Sequence, residues 1–137
     1  GVPAGVQRIT VTFSEVSLDG NDDVIVQIGD AGGPETSAYV STSAAAVNTG
    51  TSIVRSSTAG FIILAGGASN VLTGVMTIEL VDSASFHWVA SHGAKITTAI
   101  GICGGGDKSL SAELTQVRVT RTGTDSFDAG AVVISYE

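Results

Sequence analysis

Asp19, Asn21 and Asp23 place three oxygen-bearing side chains at alternate positions, the opening of a calcium-loop pattern. Such a loop needs a glycine next, but Val24 stands there, and no glutamate follows at the required distance. The expectation is therefore a hairpin with a solvated acidic tip, with Asp19, Asn21 and Asp23 as the only candidate metal ligands. His87 and His92 are the only imidazoles, and their odd spacing on a strand turns them to opposite faces. They do not share a metal, and a surface or interface role is expected for each. Ser91 beside His92 points away from it and forms no triad. Gly101 to Ser109 ends in Lys108-Ser109 like a phosphate loop, but Asp107 interrupts it and no helix follows, so it reads as a turn. Cys103, within the apolar run Ile100-Gly101-Ile102, reads as a small buried hydrophobe, and a single cysteine excludes an internal disulfide. No catalytic residue and no cofactor is assigned.

Binding chemistry is the better-supported class. The segment Gly29 to Tyr39 combines a glycine-proline loop, the hydrogen-bonding side chains of Asp30, Glu35, Thr36 and Ser37, and an aromatic at Tyr39. Stacking on a sugar ring needs an exposed flat face, and Tyr39 is the aromatic expected to offer one. Trp88 shares a strand face with Phe86 and is expected in the core or at a subunit interface. Asp30, Glu35, Thr36, Ser37 and Tyr39 are the expected recognition residues.

Charge narrows the partners. The net charge is −7, with six Lys or Arg spread singly along the chain. Neutralising phosphates needs clustered cations, so nucleic acid is not an expected partner. The longest apolar run, Phe61 to Ala65, is far too short to span a bilayer as a helix. Charged residues make up 14% of the chain, against about 25% in a usual globular domain. Ser, Thr and 18 Gly take their place, which suits an extracellular β protein or one whose flanks are covered by copies of itself.

The elements that position these residues are strands. Period-2 alternation recurs where helical periodicity does not. Ile9, Val11 and Phe13 oppose Thr10 and Thr12, and Met76, Ile78 and Leu80 oppose Val75, Thr77 and Glu79. Val24 to Ile28 is more continuously apolar, interrupted only by Gln27, as expected of a strand covered on both faces. Further strands are expected at Phe86–Ser91, Ile96–Cys103, Thr115–Thr122 and Ala131–Tyr136, with shorter ones near Tyr39 and at Phe61–Leu64. Turns are expected at Asp19–Asn21, Gly29–Pro34, Gly66–Asn70, Gly104–Asp107 and Thr122–Asp125. The segment Ala38–Arg55 reads as a surface loop, an edge strand or a self-association face. Eight or nine short strands predict one all-β domain over residues 1–137, an antiparallel sandwich of jelly-roll type.

Three stretches carry a family resemblance. Gly1-Val2-Pro3-Ala4-Gly5-Val6-Gln7-Arg8-Ile9-Thr10-Val11-Thr12-Phe13 resembles the opening of a C-terminal domain of bacteriophage and prophage tail-fibre proteins. So does Val26 to Tyr39, a strand followed by a glycine turn and an aromatic. The third runs from Lys108-Ser109-Leu110-Ser111 through Val117-Arg118-Val119-Thr120 to Phe127-Asp128-Ala129-Gly130. The resemblance implies a distal, C-terminal module of a longer fibre protein, carried on the virion and acting outside the cell. It implies a homotrimer that binds a host surface glycan or outer-membrane protein without catalysis. It carries no receptor-contact signature that transfers to particular residues. The alternatives are a structural decoration or trimerisation module, a carbohydrate-binding module, and a surface-polysaccharide hydrolase.

Overall fold

Alternation turns Ile9, Val11 and Phe13 inward and makes Arg8–Leu18 the first strand, β1. The computed structural model describes residues 1–137 and contains eleven strands and no helix. They are β1, β2 (Val24–Asp30), β3 (Gly33–Pro34), β4 (Val40–Val47), β5 (Ser52–Ser57), β6 (Phe61–Ile63), β7 (Leu72–Asp82), β8 (His87–Ile96), β9 (Ile100–Ser109), β10 (Gln116–Arg121) and β11 (Phe127–Tyr136). All pairings are antiparallel. The larger sheet runs β11-β1-β7-β8-β9-β4-β5. In the smaller sheet β2 lies between β10 on one side and β3 and β6 on the other.

The expected all-β sandwich is what the chain forms. Ile9, Val11, Phe13, Met76, Ile78, Trp88 and Ile102 of the larger sheet meet Val24, Val26, Ile28, Phe61 and Ile63 of the smaller one in a single core. β2 is buried from Val24 to Gly29, including the polar Gln27, whose side-chain amide donates to the Ala59 carbonyl at 2.8 Å. Ala38–Arg55 resolves into the β4–β5 hairpin, with β5 at one edge.

The last strand begins at Phe127, four residues before the expected Ala131, Tyr39 itself lies in no strand, and the boundaries around β8 and β9 also differ from expectation. The chain turns at residues 97–99, inside the expected strand Ile96–Cys103, and Thr97 carries a positive φ there. Gly104 to Asp107, expected as a turn, lies inside β9. The reason is space. Gly104 pairs with Ser43 and His92, and a Cβ there would collide with the Thr42 carbonyl oxygen and the His92 ring.

The strand directions sort the loops into two groups. Residues 1–7, 31–39, 58–60, 83–86 and 110–115, with Glu137, gather at what we call the near end. Residues 19–23, 48–51, 64–71, 97–99 and 122–126 gather at the far end. There, two turns of like sequence interlock: Asp19-Gly20-Asn21-Asp22 and Thr122-Gly123-Thr124-Asp125. The Asp22 N–H donates to Asp125 Oδ2 at 2.8 Å, and the Asp125 N–H donates to Asp22 Oδ2 at 2.9 Å. Each carboxylate packs over the other turn's glycine, leaving no room for a Cβ at Gly20 or Gly123. Gly123→Ala is expected to cost about 2 kcal/mol, read as a lower midpoint in urea. Gly101→Ala, whose Cβ meets open space, is expected to be near neutral. Equal stability of the two variants would contradict the interlock.

Candidate functional site

The expected recognition segment lies at the near end, where β2 turns through β3 toward β4. Its polar groups do not stand free. The Glu35 carboxylate pairs with the Lys108 ammonium, which is 4% exposed and sits 5.2 Å from the centre of the Tyr39 ring. Ser111 donates its amide N–H to Glu35 Oε1 at 2.9 Å, and its hydroxyl reaches both that oxygen and Asp30 Oδ2. Tyr39 is 1% exposed and stacks edge-on against Phe61 at 5.1 Å between centroids. Its hydroxyl accepts the Ile28 N–H at 2.9 Å and lies 3.0 Å from the carbonyl oxygens of Ile28 and Glu35. Burial pushes the phenol up to about 12.

This corrects the expectation for Tyr39: a buried ring cannot stack on a sugar. The loop after the proline carries it inward to close the sandwich over Phe61. Asp30 and Glu35 are brought together, but their acceptor oxygens are occupied by Ser111 and Lys108. Thr36 and Ser37 remain exposed at the crest of the segment.

The carboxylates of Asp30 and Glu35 share one hydroxyl, so their nearest oxygens lie within about 6 Å. Retaining glycosidases hold their carboxyls about 5 Å apart, but one of the two must stay protonated as the acid. Here the hydrogen bonds from Ser111 and Gly32 hold Asp30 below the usual carboxylate range. Burial pushes Glu35 upward, but Lys108 and Ser111 outweigh it and hold this carboxyl low as well. Both are anions at neutral pH. What the cluster can do is tie β9 and the 110–115 loop to the 31–39 loop.

The remaining candidates separate. Asp19, Asn21 and Asp23 do not converge: Asp19 Oδ1 accepts the Ser126 N–H at 2.8 Å, and Asp23 Oδ1 accepts the Ala65 N–H at 2.8 Å. Asn21 is exposed. The acidic tip is therefore not a solvated hairpin. It joins strands of different sheets, and its carboxylates cap neighbouring loops. No group of three or more His, Cys, Asp or Glu side chains is placed to hold a metal.

His87 Nδ1 lies 2.9 Å from Ser109 Oγ at the near end, whereas His92 is buried, at 7% exposed. A surface role is thus corrected for His92. Its inward parity on β8 puts Nε2 2.9 Å from Ser43 Oγ, which also accepts the Leu64 N–H at 3.0 Å. Burial pushes the His92 imidazole down to about 4. Trp88 is a core residue, as one of its two expectations had it. It backs a recess of about 160 Å³ shared with Val6, Leu80, Phe86 and Leu114, but its buried, unpartnered Nε1–H is closed off from solvent.

Lys108 and Ser111 were missed by sequence reasoning. Alternation alone could have found Lys108, since it shares the inward parity of Ile102 on β9 and the buried Leu110 follows two residues later. A lysine on a buried face implies a carboxylate partner. Nothing local marks Ser111, which meets Glu35 from 76 positions away.

Cys103 is also corrected. It is exposed, because Ile102 takes the inward position and turns Cys103 out. It stands in a row that crosses the whole larger sheet: Val133, Thr12, Val75, Gly93, Cys103, Ala44 and Val54. The next outward row is Ser135, Thr10, Thr77, Ser91, Gly105, Thr42 and Ser56. Neither row contains a charge. No protein-family model matches the chain, and no curated protein or solved structure matches it.

Proposed function

We propose that the chain is a receptor-binding domain of a bacteriophage tail fibre, a non-enzymatic homotrimer that acts on the virion, outside the cell. The resemblance of the first thirteen residues, of Val26 to Tyr39 and of the terminal strand supports this reading. The observation that carries it is the separation of the two ends. The near end holds both chain termini, and its polar cluster is occupied internally. The far end presents Asn21, Asn48, Thr49, Ser69, Thr98 and Thr124, all exposed, and the two turns that carry Asn21 and Thr124 are pinned together by the Asp22–Asp125 interlock.

On the fibre reading, a preceding shaft joins at the near end, so the far end faces the cell. Its amides and hydroxyls suit hydrogen bonding to a polyhydroxylated glycan or a polar protein surface. Single contacts of this kind are weak, and many copies on one particle multiply them. A structural decoration or trimerisation module is the second reading, favoured by the uncharged rows on the larger sheet.

Labelled protein is incubated with a panel of bacterial strains and their extracted surface polysaccharides. Saturable binding to a subset, with no new reducing ends released, is the expected result. Release of reducing ends would make the protein a hydrolase. An assembled protein that binds no strain would favour the structural module.

A further inference from the structure

We infer that the outer face of the seven-stranded sheet, together with its free edge β11, is the surface through which copies of this chain pack against one another. The inference deepens the fibre reading by giving its assembly a defined surface. Three observations carry it.

The first is the distribution of charge. The chain carries −7 overall, yet the two central rows of this face, seven positions each, hold no charged residue. Charge returns only toward the rims, with Arg8, Glu79 and Asp107 on one side and Lys95 on the other. An uncharged centre inside a charged rim is the anatomy of an interface. Acidic molecules can meet through such a face without opposing like charges.

The second is β11. Native edge strands are protected by shortness, charge or proline. β11 is ten residues long; its start carries Asp128 and a bulge against β1, but from Ala131 to Tyr136 it pairs in regular register and has neither charge nor proline. Val133 on its outer side is 61% exposed. Val132, Ile134 and Tyr136 lie on its core-facing side, beyond the reach of the smaller sheet, and are exposed as well. At the opposite edge Val54 of β5 is 63% exposed. Alone in water, β11 is a template for strand addition, and a second copy is the occupant that every assembled particle supplies.

The third is size. Seven strands about 4.8 Å apart and about 33 Å long give a face on the order of 900 Å². A stable interface buries about 800 Å² on each partner. The face is large enough for a second copy.

Cys103 lies within the uncharged rows and serves as an internal reporter. The solution mass is measured by light scattering across a concentration range, and the Cys103 thiol is titrated with a chromogenic disulfide reagent. The wild-type chain is expected to be oligomeric, with Cys103 labelling at least tenfold slower than a model thiol. Val75→Lys, a charge placed in the central row, is expected to give a folded monomer whose Cys103 labels freely. Val81→Lys, outside the two rows, is expected to leave assembly intact. A wild-type monomer with freely labelling Cys103 would overturn the inference, and so would a Val75→Lys variant that still assembles. If Val75→Lys fails to fold, Thr77→Lys is read instead under the same criteria. Cell binding is scored separately, so a wild-type monomer that still binds cells removes the packing surface and leaves the receptor reading standing.

Discussion

Glu35→Ala is expected to destabilise the protein by about 3–5 kcal/mol, because it leaves the Lys108 ammonium buried without a partner. Lys108 sits beneath the near-end loops with the Tyr39 ring beside it, and Glu35 is its carboxylate. The same substitution removes the acceptor for the Ser111 amide, loosening the 110–115 loop. The cost arises from the stranded charge more than from the lost attraction. Replacing both partners, as Glu35→Leu with Lys108→Met, should therefore recover most of it. Urea unfolding of the two variants checks this. A loss below about 1 kcal/mol for Glu35→Ala would mean that Lys108 reaches water and the pair is an ordinary surface bridge.

Acidification from pH 7 to 4 is expected to remove about 3 kcal/mol of stability through His92 alone. The folded imidazole is pushed down to about 4 from the ordinary 6.5, because burial disfavours its charged form. Between those values the unfolded chain binds a proton that the folded one does not, so stability falls as pH falls through the window. Below about pH 4 both states are protonated and the His92 contribution is flat. Asp30 and Glu35 act lower down: their folded values are depressed, so their stabilisation is present above the unfolded carboxylate range and is lost as pH falls below it through the depressed folded values. Unfolding free energies at pH 7, 5.5 and 4.5 separate the two. His92→Gln, which keeps a partner for Ser43, should flatten the profile between pH 6.5 and 4.5. An unchanged slope in that variant would acquit the imidazole.

Most of the sandwich was legible because burial imposes alternation. The parity of Ile9, Val11 and Phe13, and the dense apolar residues Val24, Ile25, Val26 and Ile28 of β2, state directly which faces are covered. The misread segments are those where glycine serves a neighbour and not a turn. Gly104 is bare because the His92 ring and the Thr42 carbonyl occupy its side-chain space, and both lie on other strands. Tyr39 misled for a related reason. The loop before it looked like a presentation device, but the ring is recruited inward by Phe61, the Ile28 amide and the Glu35 carbonyl. The acidic turn at Asp19–Asp23 was read as solvated because its acceptors are filled by Ala65, Asp125 and Ser126, none of them near in sequence. Sites assembled across sheets leave little local trace.

The central claim, recognition through the far end, is tested most directly by comparing cell binding of two surface variants with the wild type. Thr124→Arg alters an exposed far-end loop, and Thr36→Arg alters the exposed crest of the near-end loop. Both positions are exposed, so both variants should keep wild-type stability. On a bacterial strain that the wild type binds saturably, Thr124→Arg is expected to weaken binding at least tenfold, while Thr36→Arg binds as the wild type does. Loss in Thr36→Arg with full binding by Thr124→Arg would contradict the account and return recognition to the near end.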